Sequence, residues 1–152
     1  MITFIIAVTS FLMSLATWLR ELLLYRNRID LEVIDYTQYR DILQFFLRFK
    51  NKSSLPAYIS KISISPNKEL WYDCELEPKR IKKTLSGYEV MTPRTPISLP
   101  PVSFSADYFE FLGCQGTSLA AGKQMFFQIH TSRGILKKSL KLSQPGHYLH
   151  RK

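Results

Sequence analysis

Cysteine is scarce in this chain of 152 residues: Cys74 and Cys114 are the whole complement. Two are too few for a disulfide scaffold, and their spacing matches no zinc motif. One bridge is expected if the domain is extracellular, and two reduced, partly buried thiols if it is cytosolic. Histidine is nearly as rare, with His130, His147 and His150 alone. His147 and His150 stand three apart in the tail HYLH, but without Cys or carboxylate support they make a poor metal site. No Gly-rich phosphate loop occurs. The stretch 113–116 (GCQG) lacks the following Lys-Ser/Thr and the strand-to-helix setting. No nucleophile elbow is present either. A cysteine nucleophile requires a histidine beside Cys74 or Cys114, and strand cysteines more often serve as small buried hydrophobes. These absences point to a non-enzymatic protein with no cofactor and no metal.

Acidic residues also run out. No Asp or Glu follows Glu110, whereas Lys123, Arg133, Lys137, Lys138, Lys141, Arg151 and Lys152 do. The net charge is +9 and the pI about 9.7. A stretch of one sign favours an anionic neighbour, either a lipid surface or nucleic acid. The plainer reading is that these lysines solvate outer strand faces, since they alternate with apolar residues. Lys79, Arg80, Lys82, Lys83, Lys137 and Lys138 are the candidates for an anionic contact. Nucleic acid is disfavoured, because the aromatics among the basic residues at 45–52 and 126–141 alternate as core residues do. Asp73, Glu75 and Glu77 alternate and so share a strand face, which fits pairing with a basic strand or with the cations at 79–83.

What the sequence does have is one long apolar run. Residues 2–19 (ITFIIAVTSFLMSLATWL) contain no charge. Eighteen helical residues span ~27 Å, just short of a ~30 Å hydrocarbon core. Continuing through Arg20 and Glu21 to Tyr25 lengthens the helix. Arg20 is expected to snorkel to headgroups and Trp18 to sit in the interface, with Arg26 and Arg28 beyond them. A transmembrane anchor is favoured over a signal peptide, which lacks its basic start, and over a helix packed on protein, which lacks its polar face. Cations flank only the carboxyl side, so the positive-inside rule places the amino terminus outside and the domain in the cytoplasm. Ala7, Ser10, Ser14 and Thr17 form a small-residue stripe suited to homo-oligomerisation through the helix, or simply to facing lipid.

After Arg28 the pattern alternates. Residues 29–36 put Ile29, Leu31 and Val33 on one face against Asp30 and Glu32. Residues 42–50 put Leu43, Phe45, Leu47 and Phe49 inward. Residues 57–65 predict Tyr58, Ser60, Ile62 and Ile64 on one face, and 70–76 and 107–112 read as further strands. Pro93, Pro96, Pro100 and Pro101 bar 92–101 from a central strand and make it a crossing between sheets. Residues 124–131 and 135–142 form a hairpin around Ser132-Arg133-Gly134. The expected domains are an anchor with its basic flank at 1–28, a β-sandwich at 29–143 and a basic tail at 144–152.

The ordering FFLRFKNKSSLPAYISKISI…YDCEL…YFEFLGC…FFQIHTSRGILKKSL…HYLH resembles small membrane-anchored proteins of Gram-positive bacteria and their phages. The resemblance implies one amino-terminal span and an immunoglobulin- or fibronectin-like antiparallel sandwich. It rests on packing and turn motifs and brings no activity. The expected role is therefore a membrane-anchored binding module for a protein partner. Two alternatives stand beside it: an exported adhesion domain with one Cys74–Cys114 bridge, and a tethered defence or exclusion effector sensing an anionic ligand.

Overall fold

The computed structural model describes residues 2–25, 28–75, 77–78, 80–83, 89–114, 116–117 and 119–143. Arg26, Lys79 and the tail 144–152, with His147 and His150, lie outside the described residues. The apolar run is one helix, α1 (Ile2–Tyr25). Its stretch Thr3–Leu23 is long and apolar enough to cross a membrane, and its place near the N-terminus also fits a signal sequence. None of that stretch is buried within the domain. Thr9 and Thr17 return their hydroxyls to carbonyls one turn back, Thr17 to Met13 at 2.9 Å, which satisfies those polar groups within the helix.

The rest is antiparallel β-structure: β1 (Ile29–Tyr39), β2 (Ile42–Asn51), β3 (Ala57–Ser65), β4 (Tyr72–Asp73), β5 (Arg80–Lys83), β6 (Glu89–Met91), β7 (Ile97–Leu99), β8 (Ser103–Phe111), β9 (Gln124–Thr131) and β10 (Gly134–Lys141). One sheet has the order β1-β2-β8. A second has the order β10-β9-β3-β4, with β7 also edging β3. Among the described residues β5 and β6 pair with each other alone. The proline-rich segment carries the short edge strand β7 and then crosses to β8 in the other sheet, as its composition requires.

Leu43, Phe45, Leu47 and Phe49 of β2 are all buried, as are Met125, Phe127 and Ile129 of β9. Aromatic rings fill the core, within the first sheet and, through Phe45 and Phe127, between the two sheets. Phe45 meets Phe111 at 5.9 Å and Phe127 at 5.7 Å, both edge to face. Phe49 meets Phe109 at 5.6 Å in the same manner. This geometry aligns the positive ring edge with the negative face of its neighbour.

The alternation expected in 57–65 breaks partway. Ala57 and Ile59 are buried with Ile62 and Ile64, whereas Tyr58 and Ser60 are exposed. A bulge between Ile59 and Lys61, in the pairing with β9, inserts one residue and reverses the phase of the strand. A similar shift between Val33 and Asp35 brings both Asp35 and Tyr36 inside. The strand expected at 70–76 is cut to Tyr72–Asp73, followed by a single bridge from Cys74 to Phe111 that joins the two sheets along one flank. β8 begins at Ser103, four residues before the expected 107. Gly134, at φ 106, closes the β9–β10 hairpin in a conformation that favours glycine.

Replacing Phe45 by Ala removes the ring that touches both sheets. We expect a loss of about 3–5 kcal/mol, measured as a lowered urea midpoint of the full chain in mild detergent.

Candidate functional site

The outer face of the five-stranded sheet collects polar and aromatic groups from four strands. β9 sends Phe126, Gln128 and His130 outward, opposite its buried Met125, Phe127 and Ile129. The bulge in β3 turns Lys61 and Ser63 to the same side, where Lys61 lies across from His130 and Ser63 from Gln128. Lys137 of β10 flanks Gln128 on its other side. Asp73 of β4 stands opposite Ser63.

These groups bond to one another. Lys61 Nζ lies 2.7 Å from Asp73 Oδ2, and the Ser63 hydroxyl donates to Asp73 Oδ1 at 2.6 Å. Burial works to raise the Asp73 carboxyl, but the bonds from Lys61 and Ser63 outweigh it and hold the group below its ordinary value. Gln128 Nε2 and His130 Nε2 are 3.1 Å apart. Beside this network a groove of about 500 Å³ opens over Trp71, Phe126 and Gln128, with Lys68 and Lys137 at its sides. The Trp71 indole N–H donates to the Lys68 carbonyl at 3.1 Å, and the Lys68 ammonium sits 4.6 Å from the Phe126 ring centroid. Cations above an aromatic floor, with an amide in reach, suit an anionic group carried on an apolar stem.

The basic residues singled out in the sequence scatter. Lys137 and Lys138 are neighbours in β10 and so point to opposite faces. Both residues border the groove, Lys137 from the outer face. Lys138 turns toward Asp30 of β1, with its ammonium bonded to that carboxylate and also to the Leu31 carbonyl at 3.3 Å. It is therefore a clasp between the two sheets rather than part of a free basic surface. Hydrogen bonds from Lys138, then from Lys52 at 3.1 Å, draw the Asp30 carboxyl down to about 2. Arg80, Lys82 and Lys83 lie on β5, away from both larger sheets in pairing; their side chains, like Lys79, lie outside the described residues. Trp18 and Arg20 are exposed on α1, and Arg28 is exposed at the start of the domain. Ala7, Ser10, Ser14 and Thr17 are all exposed along the helix.

The three acids Asp73, Glu75 and Glu77 border one cavity together with Lys61 of the neighbouring strand, although β4 itself is cut short. Asp73 is taken up by Lys61 and Ser63, the strand ends there, and Glu77 is exposed. Among the described residues no group of three or more His, Cys, Asp or Glu is placed to hold a metal. The aromatics divide as well. Phe45, Phe49 and Phe127 are core, but Phe46 and Phe126 belong to outer faces, where Phe46 stacks on Tyr108 at 4.5 Å. Lys68 and Trp71 were not among the sequence candidates, because only the shortened β4 and the turn before it bring them over Phe126.

Cys74 and Cys114 are both free and both buried. Cys74 sits at the flank between sheets, and the Cys114 thiol faces the Phe111 carbonyl at 3.6 Å. Burial raises the Cys74 thiol to about 12 and the Cys114 thiol to about 11. Both remain protonated at neutral pH and are poor nucleophiles.

Two expectations follow from these groups. A maleimide should label neither thiol in the folded chain at neutral pH and both after denaturation; labelling of the native protein would contradict their burial. Asp30→Asn should destabilise the domain by on the order of 1 kcal/mol, discounted from the full linkage value because the side chain is 36% exposed. The Asp30 carboxyl is depressed in the folded state, so its contribution is complete above pH 3.8 and disappears as the pH falls toward about 2. Urea midpoints of the two proteins should therefore converge across that interval.

No protein-family model matches the sequence, and no curated protein matches it. Among solved structures the chain is similar to a β-glucosidase from Kluyveromyces marxianus, at 14% identity and a TM-score of 0.36, covering 78% of this chain and 14% of that enzyme. It is also similar to the structural-genomics target SoR45, at 13% identity and a TM-score of 0.33, covering 84% of this chain and 91% of that one. At these scores neither likeness bears on the function of this chain.

Proposed function

We propose that the chain is a non-enzymatic, membrane-anchored binding module whose outer five-stranded face receives an acidic segment of a protein partner. The groove between Trp71, Phe126, Lys68 and Lys137 carries this reading. An anchor confines the domain to two dimensions, and a polar sheet face with an aromatic floor supplies recognition without chemistry. The cations of the carboxyl flank favour an amino terminus outside and a cytoplasmic domain. The buried, unbridged thiols support the same compartment.

An immunoglobulin-like assignment is supported by strand order. The first, second and eighth strands form one sheet, and the third, ninth and tenth the other, which corresponds to the two-sheet Greek-key arrangement. Phe45 and Phe127 make their contact between the second and ninth strands, where antibody domains carry the inter-sheet disulfide. An aromatic pair there dispenses with oxidation.

Three measurements test the reading. The full chain should stay with membranes on carbonate extraction. Ala121→Cys, an exposed site, should react with an impermeant maleimide only after the cells are permeabilised; labelling of intact cells would place the domain outside. A photo-crosslinker at Gln128 should capture a defined adduct that Trp71→Ala abolishes, whereas one at Gln44 on the other sheet should not. Equal capture from both positions would reject the groove as the binding surface.

A further inference from the structure

The helix enters the domain at one end of the two sheets, and that end is built differently from the opposite one. Only residues 26 and 27 separate Tyr25 from Arg28, so the chain from Tyr25 to Ile29 reaches at most about 14 Å. The pairings Ile29 with Asn51, Asn51 with Ser103, and Ala57 with Leu99 place the loops 52–56 and 100–102 at this same end. The β9–β10 hairpin joins them, through the Ser132 N–H donated to the Tyr58 carbonyl at 2.9 Å.

These loops form one fixed rim. The buried Asn51 amide donates to the carbonyls of Leu55 at 2.9 Å, Leu99 at 3.1 Å and Pro100 at 2.9 Å. Arg133 holds the rim from the hairpin side, donating to the Ser53 hydroxyl and the Pro56 carbonyl, each at 2.6 Å. Against this rigid frame stand two large apolar side chains in the open. Val102 is 78% exposed and Phe104 71%. Val102 also has φ 47, a left-handed conformation that β-branched residues rarely adopt. The turn thus spends strain to hold an isopropyl group in solvent, where a glycine or asparagine would rest without it. Tyr58 and Ile135, both exposed, extend the apolar set onto the other sheet.

Charge at the rim has one sign in excess. Arg28, Arg48, Lys50, Lys52 and Arg133 outnumber Asp30 and Glu32 there, even with Arg48 and Lys50 paired to Glu32 at 3.4 and 3.0 Å and Lys52 to Asp30 at 3.1 Å. Lys50 lies across from Phe104 in the β2–β8 pairing, and the Arg48 guanidinium sits 6.0 Å from the Phe104 ring centroid. Finally, Ala16, Leu19 and Leu23 of the helix line a cleft of about 410 Å³ together with Arg28, Ser53 and Ser54. The rim therefore lies beside the last turns of the membrane-crossing helix.

We infer that this rim is a second membrane contact: Val102 and Phe104 enter the interfacial layer of an anionic bilayer while the surrounding cations meet its headgroups. Apolar tips ringed by Lys and Arg are the composition that interfacial binding requires. The tether keeps the tips at the membrane, and docking fixes the angle at which the domain stands. The outer five-stranded face is then held to the side rather than against the lipid. The inference rests on the anchoring reading above and adds to it an orientation.

The full chain is to be reconstituted in phosphatidylcholine vesicles, with and without phosphatidylglycerol, carrying a doxyl quencher in the acyl chains. An environment-sensitive fluorophore is placed on Ser54→Cys at the rim or on Ala121→Cys at the far end, both exposed; the native thiols are buried. We expect quenching at position 54, more with phosphatidylglycerol, and none at 121. The double variant Val102→Ser, Phe104→Ser should lose the quenching at 54 while its near-UV circular dichroism stays unchanged. Equal quenching at 54 in the double variant would show proximity without docking and overturn the inference. So would a signal at 54 no greater than at 121 in protein that floats with the vesicles, which leaves the anchor intact. Failure to float overturns the anchor and the rim contact together.

Discussion

The rings of Phe45, Phe111 and Phe127 meet edge to face where the two sheets press together, and the outward side chains take their positions from that contact. Because neighbours along a strand point to opposite faces, fixing Phe127 inward fixes Phe126, Gln128 and His130 outward. The same rule, applied through the register with β3 and β10, brings Lys61, Ser63 and Lys137 around them. The groove over Trp71 is thus a consequence of core packing on the other side of the sheet.

Charge is distributed by the same geometry. Lys137 and Lys138 look like one basic patch in the sequence, yet the pleat sends them to separate tasks. Both border the groove, but the Lys138 ammonium reaches the other way and closes the gap between β10 and β1 on Asp30. With the Cys74–Phe111 bridge on the opposite flank, both open sides of the two-sheet stack are fastened. Exposed sheet edges invite pairing with other chains, and fastening them this way limits that hazard.

Much of the fold was legible in the alternation of residues 42–50 and 124–131, where every inward position is apolar and the period is unbroken. The reading failed where an extra residue entered. Nothing in AYISKISIS announces that Ser60 bulges; serine is at home on either face, and Ile59 and Ile62 give contradictory phases that only the partner strand resolves. Lys68 and Trp71 were hidden because a turn centred on Asn67, which no period describes, sets their position. The apolar helix was plain from its uninterrupted run, whereas the exposed Val102 directly follows a proline-rich segment whose side-chain directions periodicity does not reach.

The tether joins the domain at Ile29, the first residue of β1, which is an edge strand of its sheet. Any pull along α1 is therefore delivered to the outermost strand and not to the aromatic centre. The Lys52 N–H bonded to the Arg28 carbonyl at 3.0 Å, and the pairing of Ile29 with Asn51 behind it, are the first links to carry that load. Asn51 passes it on to the loops that hold β7 and β8. The junction works as a strain relief of the kind fitted to a cable, spreading tension over two sheets before it reaches the packed interior.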